Sequence, residues 1–326
     1  MYGPDFTFLG IERCDLEKLE TYKDADVVIV GAPIDSGTSH RSGAKFGPQA
    51  IRMGDYLPHD GERPHLALRT DGLKDMKVVD AGDLLMNGGN LEESLALLAA
   101  ATEKISRAGA IAVILGGDHS IASADVAGIA NHRGKGKISM VHFDAHADTG
   151  ADQWGALVGH GTPMRRLIEN GHVRGDRFLQ LGLRGYWPDD ATLNWMRDQG
   201  MRSYEMTEIH HRGLKAVLDE SFATLTDGCD GVFLSVDIDV VDPGMAPGTG
   251  TPEPGGMTSR ELLEAVRRIC LELPVVGIDV VEVAPPFDSA DITAILANRV
   301  VLEALSAIAL RKKGGSYSPT RNLLDR

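Results

Sequence analysis

Short apolar runs recur along the whole chain and constrain its fold more than any other feature. They lie at residues 27–30, 77–82, 111–115, 138–143, 177–183, 231–236 and 274–281. Several are apolar at every position, as strands are when both faces of a sheet are covered. Most are separated by stretches such as 91–108, where apolar residues recur every three or four positions and indicate an amphipathic helix. This alternation predicts a parallel sheet with helices on both faces.

The alternation of strands and helices continues almost from end to end. No Ser/Pro/Gly-rich linker, repeat or low-complexity tract interrupts it, so we expect one domain over residues 1–326. The longest irregular segment, residues 54–76, is polar, and we expect it at a rim or in a subunit contact rather than in a linker.

The acidic composition limits the classes of partner. The chain has 33 Lys+Arg against 47 Asp+Glu, a formal net charge of −14, which argues against nucleic acid and favours a small cation or metal ions. Its 3 cysteines lie far apart and form neither a disulfide framework nor a paired-cysteine metal motif. An acidic start and apolar runs too short to span a membrane predict a soluble, cytoplasmic protein that binds no membrane.

Side chains that can bind metals follow four of the predicted strands. In an open parallel sheet the carboxyl ends of the strands lie at one edge, where ligands bind. The segments at these ends are GGDHS (116–120), DAHAD (144–148), DIDVVDP (237–243) and EVAPPFD (282–288). The candidate residues in them are His119, Asp144, His146, Asp148, Asp237, Asp239 and Glu282. We expect these side chains to converge on one site.

Three of the candidates occupy every second position of one segment. If that segment is extended, Asp144, His146 and Asp148 point the same way. Like charges that close repel one another unless positive charge lies between them. A metal ion is the simplest source of that charge.

A single aspartate at a strand end is often only the N-cap of the next helix. The whole set does not fit that interpretation. Burying carboxylates at this density costs several kcal/mol of folding free energy each unless they are paired, and few cations are available at these strand ends. Nitrogen and oxygen donors without thiolates favour a divalent ion such as Mn²⁺ over structural zinc. Two ions about 3.5–4 Å apart could share six ligands and activate water, which indicates hydrolysis.

The same segments resemble the ureohydrolase family, which includes arginase, agmatinase and related guanidino-acid amidinohydrolases. The resemblance lies in GGDHS, DAHAD and SVDIDVVDPGMAPGTGTPEPGG (235–256), and it covers nearly the whole chain from VVIVGAPIDSGTSHRSGAKFGPQAIR (27–52) onward. It implies an arginase-like fold, a single three-layer α/β/α domain with a mostly parallel, roughly eight-stranded sheet.

The resemblance also implies a ligand set for two Mn²⁺ ions per chain, with Ni²⁺ or Co²⁺ as possible substitutes. One ion would be held by His119, Asp144, Asp148 and Asp237. The other would be held by Asp144, His146, Asp237 and Asp239. Asp144 and Asp237 would therefore bridge the two ions.

The resemblance further implies catalytic roles for three residues. Glu282 matches a carboxylate that holds the substrate guanidinium, and His160, in GHGTP, matches a histidine proposed to shuttle protons. A hydroxide bridging the two ions would attack the guanidinium carbon, and Asp239 or His160 could pass a proton to the departing amine. Urea and an amine would leave. The alternative for His160 is a loop histidine that caps the helix after Pro163.

The substrate is narrowed by the residues that follow DAHAD. Arginase-like members hold the amino-acid end of arginine there, but this chain has Thr149 and Gly150, and glycine has no side chain for that contact. GHGTPMRR (159–166) is more similar to the agmatinase and guanidinobutyrase branch. We therefore expect agmatine or a similar guanidino compound rather than L-arginine.

Two loops are expected to form the walls of the substrate site. Asp152 and Trp154, in 151–159, are the candidate specificity residues, and Tyr186 and Trp187 are either a second wall or rim packing. An inward Asp152 would favour the ammonium group of agmatine.

A carboxylate tail such as that of 4-guanidinobutyrate would need a cation instead. The candidates for that contact are Arg165, Arg166 and Arg184.

Two other functions remain open from the sequence. One is a binuclear hydrolase of a neighbouring C–N bond, in a formimino-amino acid or a simple guanidine. The other is a binding protein with purely structural metals, which would not need Glu282. The resemblance further implies a homo-trimer or homo-hexamer.

Overall fold

Eight parallel strands form the centre of the protein in a computed structural model that describes residues 6–55 and 62–321. The strands are β1 (Val27–Ala32), β2 (Val78–Asp83), β3 (Ile111–Gly116), β4 (Ile138–Phe143), β5 (Val173–Leu183), β6 (Arg202–Glu205), β7 (Gly231–Asp237) and β8 (Val275–Val281). Their order across the sheet is β2-β1-β3-β8-β7-β4-β5-β6. The predicted single α/β domain with a roughly eight-stranded sheet is confirmed.

Both faces of this sheet are buried, which explains the continuous apolar runs. Along β1, Val27 and Ile29 belong to one hydrophobic cluster, whereas Val28 and Val30 belong to the other. Successive side chains of a strand point to opposite faces, so a strand covered on both sides needs apolar residues at every position.

Ten α-helices are present in the described residues; nine lie between consecutive strands and α10 follows β8. They are α1 (Gly47–Met53), α2 (Gly72–Asp75), α3 (Leu91–Arg107), α4 (Ala122–Arg133), α5 (Pro163–Glu169), α6 (Asp190–Asp198), α7 (Met206–Arg212), α8 (Leu214–Thr226), α9 (Ser259–Glu272) and α10 (Ile292–Lys312). In the described part of the chain, only α10 is long and apolar enough to cross a membrane. Of its most apolar window 78% is buried inside the protein, however, and a core helix meets the same criterion.

Two local features differ from the sequence-based expectation. The edge strand β6 was absent from the predicted runs, because its sequence RSYE is short and mostly polar. The segment 54–76 is not irregular throughout, since it contains α2, which packs closely on α10. A Cβ added at Gly72 would lie 2.7 Å from the carbonyl carbon of Leu305. Residues 56–61 of that segment lie outside the described residues, and its expected rim or subunit role stays a prediction.

The strand order brings the four motif-bearing strands together. β3, β8, β7 and β4 are consecutive neighbours at the middle of the sheet. Their ends are level, because Val280 is paired with both Leu115 and Val236, and Val236 is paired with Phe143. The loops that follow these strands therefore start side by side.

A buried ion pair ties α1 to β2. Two nitrogens of Arg52 each lie 2.9 Å from an oxygen of Asp80, and both side chains are almost fully buried. We expect Arg52→Met to lower the free energy of unfolding by about 3–5 kcal/mol, because a buried carboxylate loses its bidentate partner. Urea denaturation measures this. The exposed Arg174, paired with Asp176, is the control, and Arg174→Met should change stability by about 0.5 kcal/mol or less. Equal effects of the two substitutions would contradict the prediction.

Candidate metal centre and cavity

The candidate ligands lie at or just after the ends of three central strands, β3, β4 and β7; Asp237 is the last residue of β7, and the others lie in loops and short 3-10 helices. His119 opens the 3-10 helix His119–Ile121 after β3, and Asp239 lies in Ile238–Val240 after β7. The expectation of an extended Asp144–Asp148 segment was wrong, because β4 ends at Phe143 and Asp148 has a φ of 52°. The chain turns there, so the side chains converge through loop geometry rather than strand periodicity.

One imidazole nitrogen lies among three carboxylates. Nδ1 of His119 is 3.1 Å from an oxygen of Asp144, 3.1 Å from an oxygen of Asp148 and 3.2 Å from an oxygen of Asp237. It is buried but makes no well-directed hydrogen bond to a described residue. A nitrogen that is nearly equidistant from three anionic oxygens has the environment of a metal ligand rather than that of a hydrogen-bond donor.

A second group adjoins the first through Asp144. Nδ1 of His146 lies 3.1 Å from Oδ2 of Asp239 and 3.4 Å from Oδ1 of Asp144, whereas the other oxygen of Asp144 contacts His119. Asp144 thus offers one oxygen to each group, as a bridging carboxylate does. Asp237 contacts the first group and accepts a backbone hydrogen bond from Asp239, so its sharing between two ions stays a prediction.

The pKa values of the cluster indicate that its carboxylates need positive charge beside them. Burial alone would lower the pKa of each imidazole, but the carboxylates raise the pKa of His119 well above its usual value and that of His146 to about 12. Burial and the neighbouring aspartates raise the pKa of Asp237 well above its usual range. Divalent ions displace such protons when they bind. The oxygen and imidazole donors, with an orphaned buried nitrogen among them, fit such ions.

His142 also contacts the cluster and was not among the residues predicted from the sequence. Its Nε2 lies 2.8 Å from Oδ2 of Asp144, and its Nδ1 lies 3.1 Å from the amide nitrogen of Gln180. With Nδ1 accepting from Gln180, Nε2 carries the proton and donates to Asp144, which fixes the orientation of that carboxylate. Its position two residues before Asp144 continues the alternate spacing of the motif, and that signal could have identified it.

His160 and Glu282 form a buried pair beside the cluster. The backbone N–H of Ser39 donates to Nε2 of His160 at 3.0 Å, so Nδ1 carries a proton and donates to Oε1 of Glu282 at 2.9 Å. The same oxygen accepts the backbone N–H of His119, whereas Oε2 has no hydrogen-bond partner among the described residues. Burial opposes the charged form of His160, but Glu282 raises its pKa to about 9.

The capping alternative for His160 does not describe this geometry. The N-cap residue of α5 is Thr162, and its side chain makes no capping hydrogen bond. His160 instead accepts from the backbone N–H of Ser39 and donates to Glu282.

A cavity of about 400 Å³ opens onto the cluster. It is lined by Ser39, His146, Asp148, Asp152, Gln153, Trp154, His160, Gly161, Trp187, Asp237 and Thr251. Three candidate ligands thus form its floor, and both predicted specificity residues, Asp152 and Trp154, lie on its wall. Glu282 is only 1% exposed and lies behind His160 rather than on the surface of the cavity.

The family model that matches this chain is that of the arginase family, over residues 25–307. This chain belongs to the arginase family. It is 37% identical over 286 residues to the guanidinobutyrase of Pseudomonas aeruginosa, covering 87% of this chain and 86% of that one. It is 36% identical over 309 residues to the mitochondrial agmatinase of Gallus gallus, covering 93% of this chain and 88% of that one.

Solved structures agree with that assignment. Proclavaminate amidinohydrolase from Streptomyces clavuligerus superposes with a TM-score of 0.85 and 34% identity, over 95% of this chain and 99% of that one. A formiminoglutamase variant from Trypanosoma cruzi, solved with Mn²⁺, gives a TM-score of 0.81 and 25% identity, over 91% and 97%. Arginase-family proteins are binuclear metal enzymes, and this one is a metal-dependent hydrolase that acts on amidine C–N bonds.

The arginines considered for a carboxylate tail have other partners. The Arg184 guanidinium donates to backbone carbonyls, including that of Asp239 at 2.7 Å. Arg165 pairs with Glu169 and stacks on Trp195, and Arg166 also pairs with Glu169. Among the described residues, no lysine or arginine lines the cavity.

The remaining sequence candidates lie at or behind the wall. Trp187 lines the cavity, whereas Tyr186 is fully exposed and lies outside it. Thr149 is buried and Gly150 donates its N–H to the carbonyl of Gly161, so neither position offers a side chain to a substrate of this arginase-family member.

The shared position of Asp144 makes a testable prediction. We expect Asp144→Asn to raise the Kd for Mn²⁺ roughly 100-fold or more at both sites. Removing a residue that only hydrogen-bonds to a metal ligand already lowers metal affinity about 10–100-fold, and Asp144 is itself a proposed ligand. His119→Asn should weaken one site only. Titration of the metal-free protein with Mn²⁺ measures both constants, and Asp198→Asn, on the surface, is the control. Equal weakening of both sites by His119→Asn would argue against the two-group arrangement.

Proposed function

We propose that this protein hydrolyses the guanidinium group of agmatine, or of a similar guanidino-amine, to urea and an amine. The observation that carries the proposal is the cavity, in which the candidate metal ligands lie opposite a wall that contains Asp152 and, among the described residues, no lysine or arginine. A substrate with a guanidinium at one end and an ammonium at the other matches that charge distribution.

The proposed ions are two Mn²⁺ per chain. His119, Asp144, Asp148 and Asp237 would hold one, and Asp144, His146, Asp237 and Asp239 the other. Such ions would polarise a water molecule and lower its pKa towards neutrality. Mn²⁺ is supported by the oxygen-rich donors and by its presence in the Trypanosoma cruzi neighbour, although Ni²⁺ or Co²⁺ could substitute.

The chain's own residues would orient the guanidinium and move the proton. Oε2 of Glu282 is a buried acceptor without a partner, suited to a planar cation that donates N–H bonds. His160 lines the cavity, and Glu282, which accepts its Nδ1 proton and raises its pKa to about 9, makes the ring a stronger base that can relay a proton to the departing amine. Asp239 is the second candidate, but its oxygens already contact Ala145 and His146.

Hydrolysis of 4-guanidinobutyrate is the second candidate function. It is favoured by the similarity to the Pseudomonas aeruginosa guanidinobutyrase. The cavity offers the carboxylate of that substrate no lysine or arginine among the described residues, so we rank 4-guanidinobutyrate below agmatine. Hydrolysis of a formimino group stands behind both. We also propose a soluble cytoplasmic homo-trimer or homo-hexamer that binds neither nucleic acid nor membrane, in keeping with the net charge of −14.

A comparison of substrates tests the tail assignment. Wild-type protein loaded with Mn²⁺ should release urea from agmatine with a higher kcat/KM than from 4-guanidinobutyrate. Asp152→Asn should lower kcat/KM for agmatine about 5–10-fold, as for loss of an exposed ion pair worth about 1 kcal/mol, and should leave 4-guanidinobutyrate unchanged or improved. Asp198→Asn is the matched control. If the wild type has the higher kcat/KM for 4-guanidinobutyrate, the proposal of agmatine as the preferred substrate is wrong.

Glu282→Gln tests the guanidinium contact, because it keeps the shape of the side chain and removes its charge. We expect kcat/KM for guanidino substrates to fall on the order of 10²-fold, as for a lost charge-assisted contact of about 3 kcal/mol. The metal content should stay at the wild-type value, since Glu282 is outside both ligand groups. Near-normal turnover at full metal content would show that the guanidinium is held elsewhere.

A further inference from the structure

Two carboxylates lie against each other beneath the metal centre, outside both the ligand set and the cavity. Asp125 on α4 and Asp279 on β8 are each fully buried. Asp279 accepts hydrogen bonds from the hydroxyl of Ser235 at 2.8 Å and from the backbone of Val236 at 3.2 Å. Among the described residues, Asp125 accepts from the backbone N–H of Val126 alone. The remaining oxygen of each, Oδ2, has no other N–H or hydroxyl donor there, so its partner is the neighbouring carboxyl group.

This pair holds one proton. Adjacent buried carboxylates cannot both be ionised, so one of them is the acid that donates to the other. Asp279 is stabilised as an anion by two donors and Asp125 by one, which places the proton on Asp125. Burial and then the charge of Asp279 raise the pKa of Asp125 well above its usual range, in agreement with that assignment.

The pair is connected to the first metal ligand through Ser235. The serine hydroxyl has one hydrogen, which it donates to Asp279. Its oxygen lies 2.9 Å from Nε2 of His119 and must therefore accept from an N–H at that position. When an ion displaces the proton of Nδ1, the proton that stays on Nε2 leaves the Nδ1 lone pair directed at the space among the three carboxylate oxygens.

We propose that Asp125, Asp279 and Ser235 form a positioning relay that sets the tautomer of His119 and strengthens it as a metal ligand. Asp125 is the neutral acid, so the negative charge stays on Asp279. Asp279 accepts from Ser235, and Ser235 accepts from His119, so the hydrogen bonds of the relay all run in the same direction. The relay rests on the proposed metal centre but is separate from guanidine hydrolysis. A hydrogen-bonded carboxylate of this kind increases the basicity of a metal-bound histidine.

Binding of Mn²⁺ alone to the full chain tests the relay. Asp279→Asn and Ser235→Ala should each raise the Kd of one Mn²⁺ ion about 10–100-fold and leave the other unchanged. Asp125→Leu should weaken the same ion, whereas Asp125→Asn, whose amide N–H replaces the acid proton, should restore it. Chelator competition gives the two constants, and thermal unfolding of the metal-free variants reports their folding.

The outcomes separate this proposal from the one on which it rests. If the variants unfold at lower temperature but bind both ions with wild-type affinity, the three residues are only structural and the relay is overturned. If both ions weaken equally, its link to His119 is overturned. If the wild type binds no Mn²⁺, the metal centre itself fails and the relay with it. Should Asp279→Asn not fold, the comparison of Ser235→Ala with wild type decides between these results.

Discussion

The repulsion among buried carboxylates at the centre of the sheet is the constraint on which the rest of the site depends. Asp144, Asp148 and Asp237 each place an oxygen within 3.2 Å of the same histidine nitrogen, and all four side chains are buried. In the metal-free protein, protons on His119 and His146 supply the compensating charge. Divalent ions supply more charge at shorter range, and they leave positions open for water and substrate.

The fold makes this crowding of charged groups possible because its apolar core does not include them. The three strands that carry the ligands, β3, β4 and β7, lie together with β8 in the middle of an eight-stranded sheet whose two faces are covered by apolar clusters. Their backbone positions are held by strand pairing and packing, so the loops can present charged groups that repel one another. The left-handed conformations of Asp148 and Glu282 are costs of the same kind, at φ of 52° and 62°.

Much of this arrangement could be predicted from the sequence, because strand ends and carboxylates are both visible in it. The runs that became β1 and β3 are apolar throughout, those that became β4, β7 and β8 are mostly apolar, and the ligand candidates lie at the ends of β3, β4 and β7. The order of the strands is a tertiary property, however, and it was not predicted from the sequence. The strand β6 was missed because an edge strand needs no continuous apolar run.

The residues that support the ligands were harder to predict than the ligands. Asp279 lies inside the apolar run VVGIDVV and Asp125 lies on a helix, so neither shares a motif with His119. The position of Glu282 behind His160 depends on a left-handed backbone conformation that sequence does not reveal.

The most direct test of the account is anomalous diffraction from crystals of the Mn²⁺-loaded protein, collected near the manganese absorption edge. The account predicts two peaks per chain about 3.5–4 Å apart, one beside Nδ1 of His119 and the other beside Nδ1 of His146, with Asp144 between them. A single peak at full metal content, or two peaks that Asp144 does not join, would contradict it.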